Sequence, residues 1–330
     1  MDVLSGLSRG RWVRRAIAAV VALLLVVAVA TTVLYAWPLG GDRFENGRPR
    51  AIDFAGAAAE AVEMAQKDGA DPQVTKECAS SVLSHGAKTA KAVLMLHGYT
   101  DCPAQYSGLA KHFFDLGYNV YVPRAPRHGV LDRTAHHGLR ADELVTYADE
   151  ALNVVAGLGD EVGVIGISGG GVLATWLAEF RPDVVQHLLV LSPFYRPASS
   201  QAPGFAVQPL IVLFGSRVLP DRVQSNGFSF AALSQYLRIA ANFREVPENP
   251  RLTSVAVVVS PLDPFIDRDL AFRIPETLAG VNDATLVQDE LPAELGLKHD
   301  LVAPDDVGPN AAELYTRYST IYEGGQPPKL

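Results

Sequence analysis

The stretch VGVIGISGGG, residues 162 to 171, carries the strongest structural signal in this chain. Its apolar first half predicts a buried strand over Val162–Ile167, and the glycines that follow predict a sharp turn into a helix. Ser168 lies in that turn, flanked in the pattern Gly-x-Ser-x-Gly by Gly166 and Gly170. Such a turn strains the backbone of the serine and leaves no room for side chains beside it. We therefore interpret Ser168 as a candidate nucleophile.

Short apolar runs alternate with stretches of helical period along most of the remaining chain. The runs predict strands at Ala92–Leu96, Val120–Val122, His187–Leu191, Ser254–Ser260 and Ala284–Val287. Helices are predicted at Ala51–Lys67, Pro103–Leu116, Ala141–Leu158, Gly171–Phe180 and Arg268–Leu278. This alternation predicts an α/β fold in which helices cover both faces of a mainly parallel sheet, with ligands bound at the carboxyl ends of the strands.

One interval, Tyr195 to Pro250, is longer than a single connecting helix requires. It contains the aromatic residues Phe205, Phe214, Phe228, Phe230, Tyr236 and Phe243. Because long interruptions inside compact domains often serve function, we predict a cap insertion over the active site at about residues 195–250. An ordinary surface excursion is the alternative.

The N-terminal region predicts a membrane segment. Residues 16–36 (AIAAVVALLLVVAVATTVLYA) carry no charge and are long enough to cross a hydrocarbon layer of about 30 Å as a helix. The preceding tail, residues 1–15, contains Arg9, Arg11, Arg14 and Arg15, which favours a cytoplasmic tail and an extracytoplasmic domain. A cleaved signal peptide is the alternative, since Ala28-Val29-Ala30 offers a cleavage site. Residues 37–50 are predicted to be a linker, and residues 51–330 the α/β domain that carries Ser168.

The composition excludes some functions. The formal net charge of the 330 residues is −8, and the first 40 residues carry four Arg against one Asp, so the rest carries −11. Such a negative domain is a poor partner for nucleic acid.

Its two cysteines, Cys78 and Cys102, fall in the exported part, where either a disulfide or two buried free thiols can be expected.

Two segments supply candidate partners for Ser168. The run LMLHGYT, residues 94 to 100, leads from a strand into a loop whose Tyr99 amide, together with the Gly169 amide, is predicted to hold an oxyanion. His97 is expected to brace this loop. The His136-His137 pair lacks the spacing of a zinc site, so neither a metal nor a cofactor is predicted.

A serine nucleophile needs a base and an acid. When the serine lies in a strand-to-helix turn of the Gly-x-Ser-x-Gly pattern, both follow it in the chain. Asp263 lies in a loop after a predicted strand, and Asp267 is its rival; we favour Asp263 because Asp267 is placed to cap the next helix. His299 is the only histidine after His187 and is therefore assigned as the base. Its neighbours Lys298 and Asp300 are expected to be surface groups.

The segment Ala92–Gly129, taken with Ser168, Asp263 and His299, resembles bacterial α/β-hydrolase carboxylesterases and monoacylglycerol-lipase-like enzymes. The resemblance covers about residues 75–325. It implies an α/β-hydrolase fold and a serine hydrolase without a cofactor, which acts on a small-molecule ester, possibly a lipid. The pair Tyr99-Thr100 departs from relatives, which often have a small residue and Gly here. A peptidase or amidase with the same residues, and a non-catalytic binding module, remain alternatives.

Overall fold

A computed structural model describes residues 3–221 and 223–329. The chain divides into two units, and the boundary in the sequence falls after Pro38. The first unit is one helix, α1 (Val3–Ala36). Within it, Trp12–Ala36 has a mean hydropathy of 2.9 and is, among the described residues, the one helix long and apolar enough to cross a membrane. A retained anchor and a signal sequence both meet that criterion.

The second unit is built on a seven-stranded sheet. Its strands are β1 (Ser81–Leu83), β2 (Thr89–Leu96), β3 (Asn119–Val122), β4 (Gly159–Ile167), β5 (Val185–Leu191), β6 (Ser254–Val259) and β7 (Thr285–Glu290). They lie in the order β1-β3-β2-β4-β5-β6-β7. Only β1 is antiparallel to its neighbour, so the predicted mainly parallel sheet is confirmed.

Helices cover both faces of this sheet because its central strands are apolar on both sides. Successive residues of β4 show this: Val164 packs into the cluster that contains α5 and α6, and Ile165 into the cluster that contains α4 and α11. The helices of the unit are α2 (Asp42–Glu45), α3 (Phe54–Ala70), α4 (Ser107–Asp115), α5 (Ala141–Leu158), α6 (Gly169–Phe180), α7 (Gly204–Leu210), α8 (Phe230–Ala240), α9 (Arg268–Val281), α10 (Pro304–Val307) and α11 (Ala311–Tyr322). The carboxyl ends of the strands are thereby left open to ligands.

The long interval between β5 and β6 holds its own helices. It contains α7, a π-helical turn at Ile211–Gly215 and α8. Ile211 and Val212 are buried, as are the inward side chains of α8, including Tyr236. Hereafter we call this insertion the cap.

Residues 39–50, which belong to the linker predicted at 37–50, pack against the rest of the unit, and we call them the strap. Arg238 of α8 donates to the carbonyls of Leu39 and Gly40. Further along, Asn153 of α5 donates to the carbonyl of Arg48 and accepts the Arg50 N–H. Main-chain hydrogen bonds to several helices therefore hold the strap in place.

One strap side chain is fully inserted. Phe44 is only 4% exposed, and the guanidinium of Arg238 lies 4.9 Å from the centre of its ring. The indole of Trp176 in α6 donates to the Phe44 carbonyl at 2.7 Å. Phe44 thus connects the cap helix α8 with α6, the helix that follows Ser168.

Replacing Phe44 with alanine is expected to destabilise the second unit. Removal of a buried phenylalanine costs about 3 kcal/mol or more, because its contacts are lost and a cavity remains. Urea unfolding of the full chain in detergent micelles, followed by tryptophan fluorescence, measures this loss. Met64→Ala is a suitable control, since Met64 is 43% exposed. Equal midpoints for the Phe44 and Met64 variants would contradict a stabilising role for the strap.

Candidate active site

Ser168 lies in a tight turn between β4 and α6. Its backbone has φ 54° and ψ −118°, in the positive-φ region that side chains rarely adopt. The Ser168 N–H donates to the carbonyl of Leu191 at 3.0 Å, which fixes the turn against β5. A Cβ atom on Gly166 would lie 2.2 Å from the Gly170 oxygen, and one on Gly170 would lie 2.0 Å from the Leu96 oxygen. Glycine is therefore required at both flanking positions.

The loops after β6 and β7 bring Asp263 and His299 to this serine. His299 Nε2 is 2.8 Å from Ser168 Oγ, and His299 Nδ1 is 2.7 Å from Asp263 Oδ2. The carboxylate can only accept, so Nδ1 carries a proton and Nε2 is left to accept the proton of the serine hydroxyl. The arrangement can thus activate Ser168 for attack on a carbonyl carbon.

The surroundings of Asp263 favour a fixed orientation. Its side chain is fully buried, and Oδ1 accepts the Phe265 N–H at 2.9 Å. The rival Asp267 caps α9 by accepting the Leu270 N–H at 3.1 Å, and it pairs with Arg196. Asp263 is therefore the carboxylate in contact with His299.

The loop after β2 lies on the other side of Ser168. Tyr99, Thr100 and Gly169 line the same cavity as Ser168. His97 braces this loop: Nε2 accepts the Ala125 N–H at 3.0 Å, and Nδ1 lies 3.0 Å from the Gly98 carbonyl oxygen. Burial lowers the pKa of His97 to about 4, so it is neutral at physiological pH and suited to this role.

The cavity above Ser168 and His299 has a volume of about 520 Å³. Its apolar lining comes largely from the cap and comprises Phe194, Phe228, Phe230, Leu233, Tyr236 and Phe265. Gln201, Gln224 and Asn226 supply polar groups. Among its described lining residues there is no Asp or Glu. Such a cavity fits an apolar chain joined to an uncharged polar group.

The Tyr99 side chain connects the loop after β2 to the cap. Its hydroxyl accepts the Ser229 N–H at 2.7 Å and lies 3.2 Å from the carbonyl oxygens of Gly227 and Ser229. Burial, the main cause, raises the pKa of Tyr99, which therefore stays a neutral donor. Sequence reasoning noted Tyr99 as unusual and missed this contact, which depends on the fold of the cap.

The variant Tyr99→Phe is expected to lose about 1–3 kcal/mol of stability, because the buried Ser229 N–H loses its acceptor. Urea unfolding measures the change. Tyr35→Phe alters a tyrosine of α1, outside this unit, and serves as the control. A Tyr99→Phe variant that unfolds at the parent's urea concentration would refute the proposed stabilising contact.

Among the described residues, one cluster of titratable groups outside this site has the spacing of a metal site. Glu161, His187 and Glu323 lie close enough to share an ion, but the ammonium of Lys91 contacts both glutamates. Their cluster lies at the amino end of β4, whereas Ser168 follows its carboxyl end. Lys91 therefore already supplies the positive charge that the two glutamates need.

His136, which the sequence places beside His137, is buried, and its Nδ1 lies 2.8 Å from the Gly227 carbonyl oxygen.

Cys78 and Cys102 form a disulfide, with sulfur atoms 2.02 Å apart. The bond links the segment before β1 to the loop that contains Tyr99. Gly129 packs against it, since a Cβ there would lie 2.4 Å from the Cys78 Cβ. Of the two states left open by the sequence, the structure has the disulfide.

Ser168 lies in a strand-to-helix turn after a central strand and is joined by hydrogen bonds to His299 and Asp263 from later loops, an arrangement typical of the α/β-hydrolase class. Residues 87–265 match the family described as "Serine aminopeptidase, S33", and the chain belongs to that family. The family resemblance expected from Ala92–Gly129 is thereby confirmed.

Similar proteins include several lipases. The thermostable monoacylglycerol lipase of Bacillus sp. (strain H-257) is 32% identical over 96 residues, which are 28% of this chain and 36% of that protein. The chain spans little more than a third of the curated relatives it matches. A soluble variant of the Saccharomyces cerevisiae monoglyceride lipase has a TM-score of 0.54 at 12% identity, covering 76% of this chain and 92% of that one. The Paleococcus ferrophilus monoacylglycerol lipase gives 0.53 at 19%, covering 72% and 95%. These structures confirm the fold.

Proposed function

We propose that this protein is a serine hydrolase of carboxylic esters. The observation that carries the proposal is the chain of two hydrogen bonds from Ser168 through His299 to Asp263, at the base of a largely apolar cavity. In the first step His299 Nε2 takes the serine proton while Ser168 Oγ attacks the ester carbonyl. The alcohol then leaves with that proton, and an acyl-enzyme remains.

The second step reverses these roles with water. His299 removes a proton from a water molecule, which attacks the acyl-enzyme, and returns that proton to Ser168 Oγ as the bond to the acyl group breaks and the acid is released. In both steps the carbonyl oxygen becomes negative, and the amides of Tyr99 and Gly169 are proposed to stabilise it. Asp263 keeps the imidazole oriented and stabilises its charged form. No cofactor takes part in this mechanism.

The cavity favours a lipid-like or short acyl ester over a peptide with a free N-terminus. An aminopeptidase has to neutralise the ammonium group of its substrate, and the lining of this cavity offers aromatic rings and amides. The monoacylglycerol lipase among the relatives agrees with an acyl ester. We also propose that α1 holds the domain on the extracytoplasmic side of a membrane, or that its cleavage releases the domain there.

A fluorophosphonate probe tests the mechanism. The full chain in detergent micelles is labelled, digested and analysed by mass spectrometry, and the adduct is expected on Ser168. Turnover of p-nitrophenyl esters should fall in proportion to the labelled fraction. Aminoacyl-anilides in the same assay test the peptidase alternative. A folded protein that neither labels nor hydrolyses either substrate would favour a binding module instead.

A further inference from the structure

The side chain of Gln105 joins the two loops that flank Ser168. Gln105 lies in the short helical turn Pro103–Tyr106 and is 6% exposed. Its Oε1 accepts the Gly98 N–H at 2.8 Å, and its Nε2 donates to Asp300 Oδ2 at 2.7 Å. The two partners fix the orientation of the amide, because one can only donate and the other only accept.

Each partner of Gln105 is adjacent in sequence to a residue of the proposed mechanism. Gly98 precedes Tyr99, and Asp300 follows His299. Asp300 was expected to be a surface group; instead its Oδ1 accepts the N–H groups of Val302 and Ala303, both at 2.9 Å, while Oδ2 faces Gln105. One rigid amide thus spans the distance between the oxyanion loop and the loop of the base.

We propose that Gln105 is a positioning residue, which sets the Tyr99 amide and the His299 imidazole at their working distance from Ser168. This inference rests on the proposed ester hydrolysis. It requires a side chain that accepts at one end and donates at the other. A misplacement of about 1 Å at either group is enough to cost about 100-fold in rate.

The charges around Asp300 explain why glutamate cannot replace this glutamine without loss. Burial raises the pKa values of Asp101 and Asp306, and the charge of Asp300 adds to this effect, as it does for Tyr106, Tyr315 and Tyr318. Burial, reinforced by the charges of Asp300 and Asp306, raises the pKa of Asp101 to about 6. A second carboxylate beside Asp300 would therefore be repelled, or would share a proton with it.

The first test compares Gln105→Glu with Gln105→Met in the full chain, by p-nitrophenyl ester turnover. At pH 8 both variants are expected to lose about tenfold or more in kcat. As the pH falls towards about 5.5, a shared proton lets the introduced glutamate accept from Gly98 and donate to Asp300, so the kcat of Gln105→Glu relative to the parent should rise. The relative kcat of Gln105→Met should stay constant. A purely structural role would not produce this difference between the two pH profiles.

The second test exchanges the two partners. In the double variant Gln105→Glu with Asp300→Asn, the new asparagine amide donates to the new glutamate carboxylate, which still accepts the Gly98 N–H. We expect kcat within about threefold of the parent, whereas each single variant loses about tenfold. Circular dichroism and urea unfolding, neither of which depends on the reactivity of Ser168, confirm that each variant is folded. The inference is overturned if the folded single variants keep parental kcat, or if the double variant is no better than the product of the singles. A parent without esterase activity would instead refute the proposed function.

Discussion

The variant Asp263→Asn is expected to lower kcat for ester hydrolysis by about 10⁴-fold without unfolding the protein. Asp263 Oδ2 accepts from His299 Nδ1 at 2.7 Å, and Oδ1 accepts from Phe265. An asparagine that keeps the Phe265 bond turns its NH₂ group towards His299. The imidazole then carries its proton on Nε2 and cannot accept the Ser168 proton. Steady-state kinetics with a p-nitrophenyl ester measure the loss.

Asp267→Asn is the matched control for this prediction. Asparagine caps helices as well as aspartate does, so α9 keeps its N-terminal hydrogen bond. The ion pair with Arg196 is lost, and it is partly exposed, which makes its contribution small. We expect kcat within about threefold of the parent. If Asp267→Asn proved the more damaging of the two, the choice of Asp263 as the acid would be wrong.

Gly170→Ala is expected to destabilise the fold by about 3 kcal/mol or more. The added Cβ would lie 2.0 Å from the backbone oxygen of Leu96 and 2.6 Å from that of His97. Neither oxygen can move without shifting β2 and the loop that carries Tyr99. Urea unfolding measures the loss, and fluorophosphonate labelling is expected to decrease with it.

Gly280→Ala provides the contrast. Gly280 lies in α9, and a Cβ there meets no atom within 4 Å. Alanine in a helix is more stable than glycine by about 0.5–1 kcal/mol, so this variant is expected to gain stability. A loss of unfolding free energy in Gly170→Ala and a gain in Gly280→Ala would attribute the Gly170 effect to close packing. A Gly170→Ala variant as stable as the parent would refute this explanation.

Much of the sheet could be predicted because burial leaves a clear pattern in the sequence. For β4 the predicted carboxyl end, Ile167, agrees with the structure, whereas the strand begins at Gly159 and not at Val162. Its first residues pair with β2, although Asp160 and Glu161 interrupt the apolar run. The edge strand β1 has three half-buried residues and no apolar run, so it was missed.

Sequence analysis missed α11 for a different reason. In α11 the side chains of Leu314, Tyr318, Ile321 and Tyr322 are buried at helical spacing, but two of these four are tyrosines and the charged Arg317 is buried among them. Arg317 is satisfied by a hydrogen-bonded ion pair with Asp289, which only the tertiary structure can provide. The small number of aliphatic side chains in this segment concealed a helical spacing that its sequence contains.

The candidate site also contains residues that the sequence could predict and one that it could not. Ser168, Asp263 and His299 were selected by motif and by order along the chain, and the structure brings their side chains together. Gln105 gave no signal, because its importance depends on Asp300, which lies 195 residues away. Such roles follow from loop packing, which a single sequence does not encode locally.

The way in which the strap is held affects which of its residues can vary in evolution. Its hydrogen-bonding partners reach mainly its peptide groups: Arg238 and Asn242 bind the Leu39 carbonyl, Trp176 the Phe44 carbonyl and Arg244 the Glu45 carbonyl. Every residue type carries a carbonyl, so an exposed strap position such as Glu45 can accept many substitutions. Phe44 and Gly47 cannot, because Phe44 is buried and a Cβ on Gly47 would lie 2.2 Å from Arg181 Cδ. The selective constraint falls on the donor side chains of the domain, which are far away in sequence.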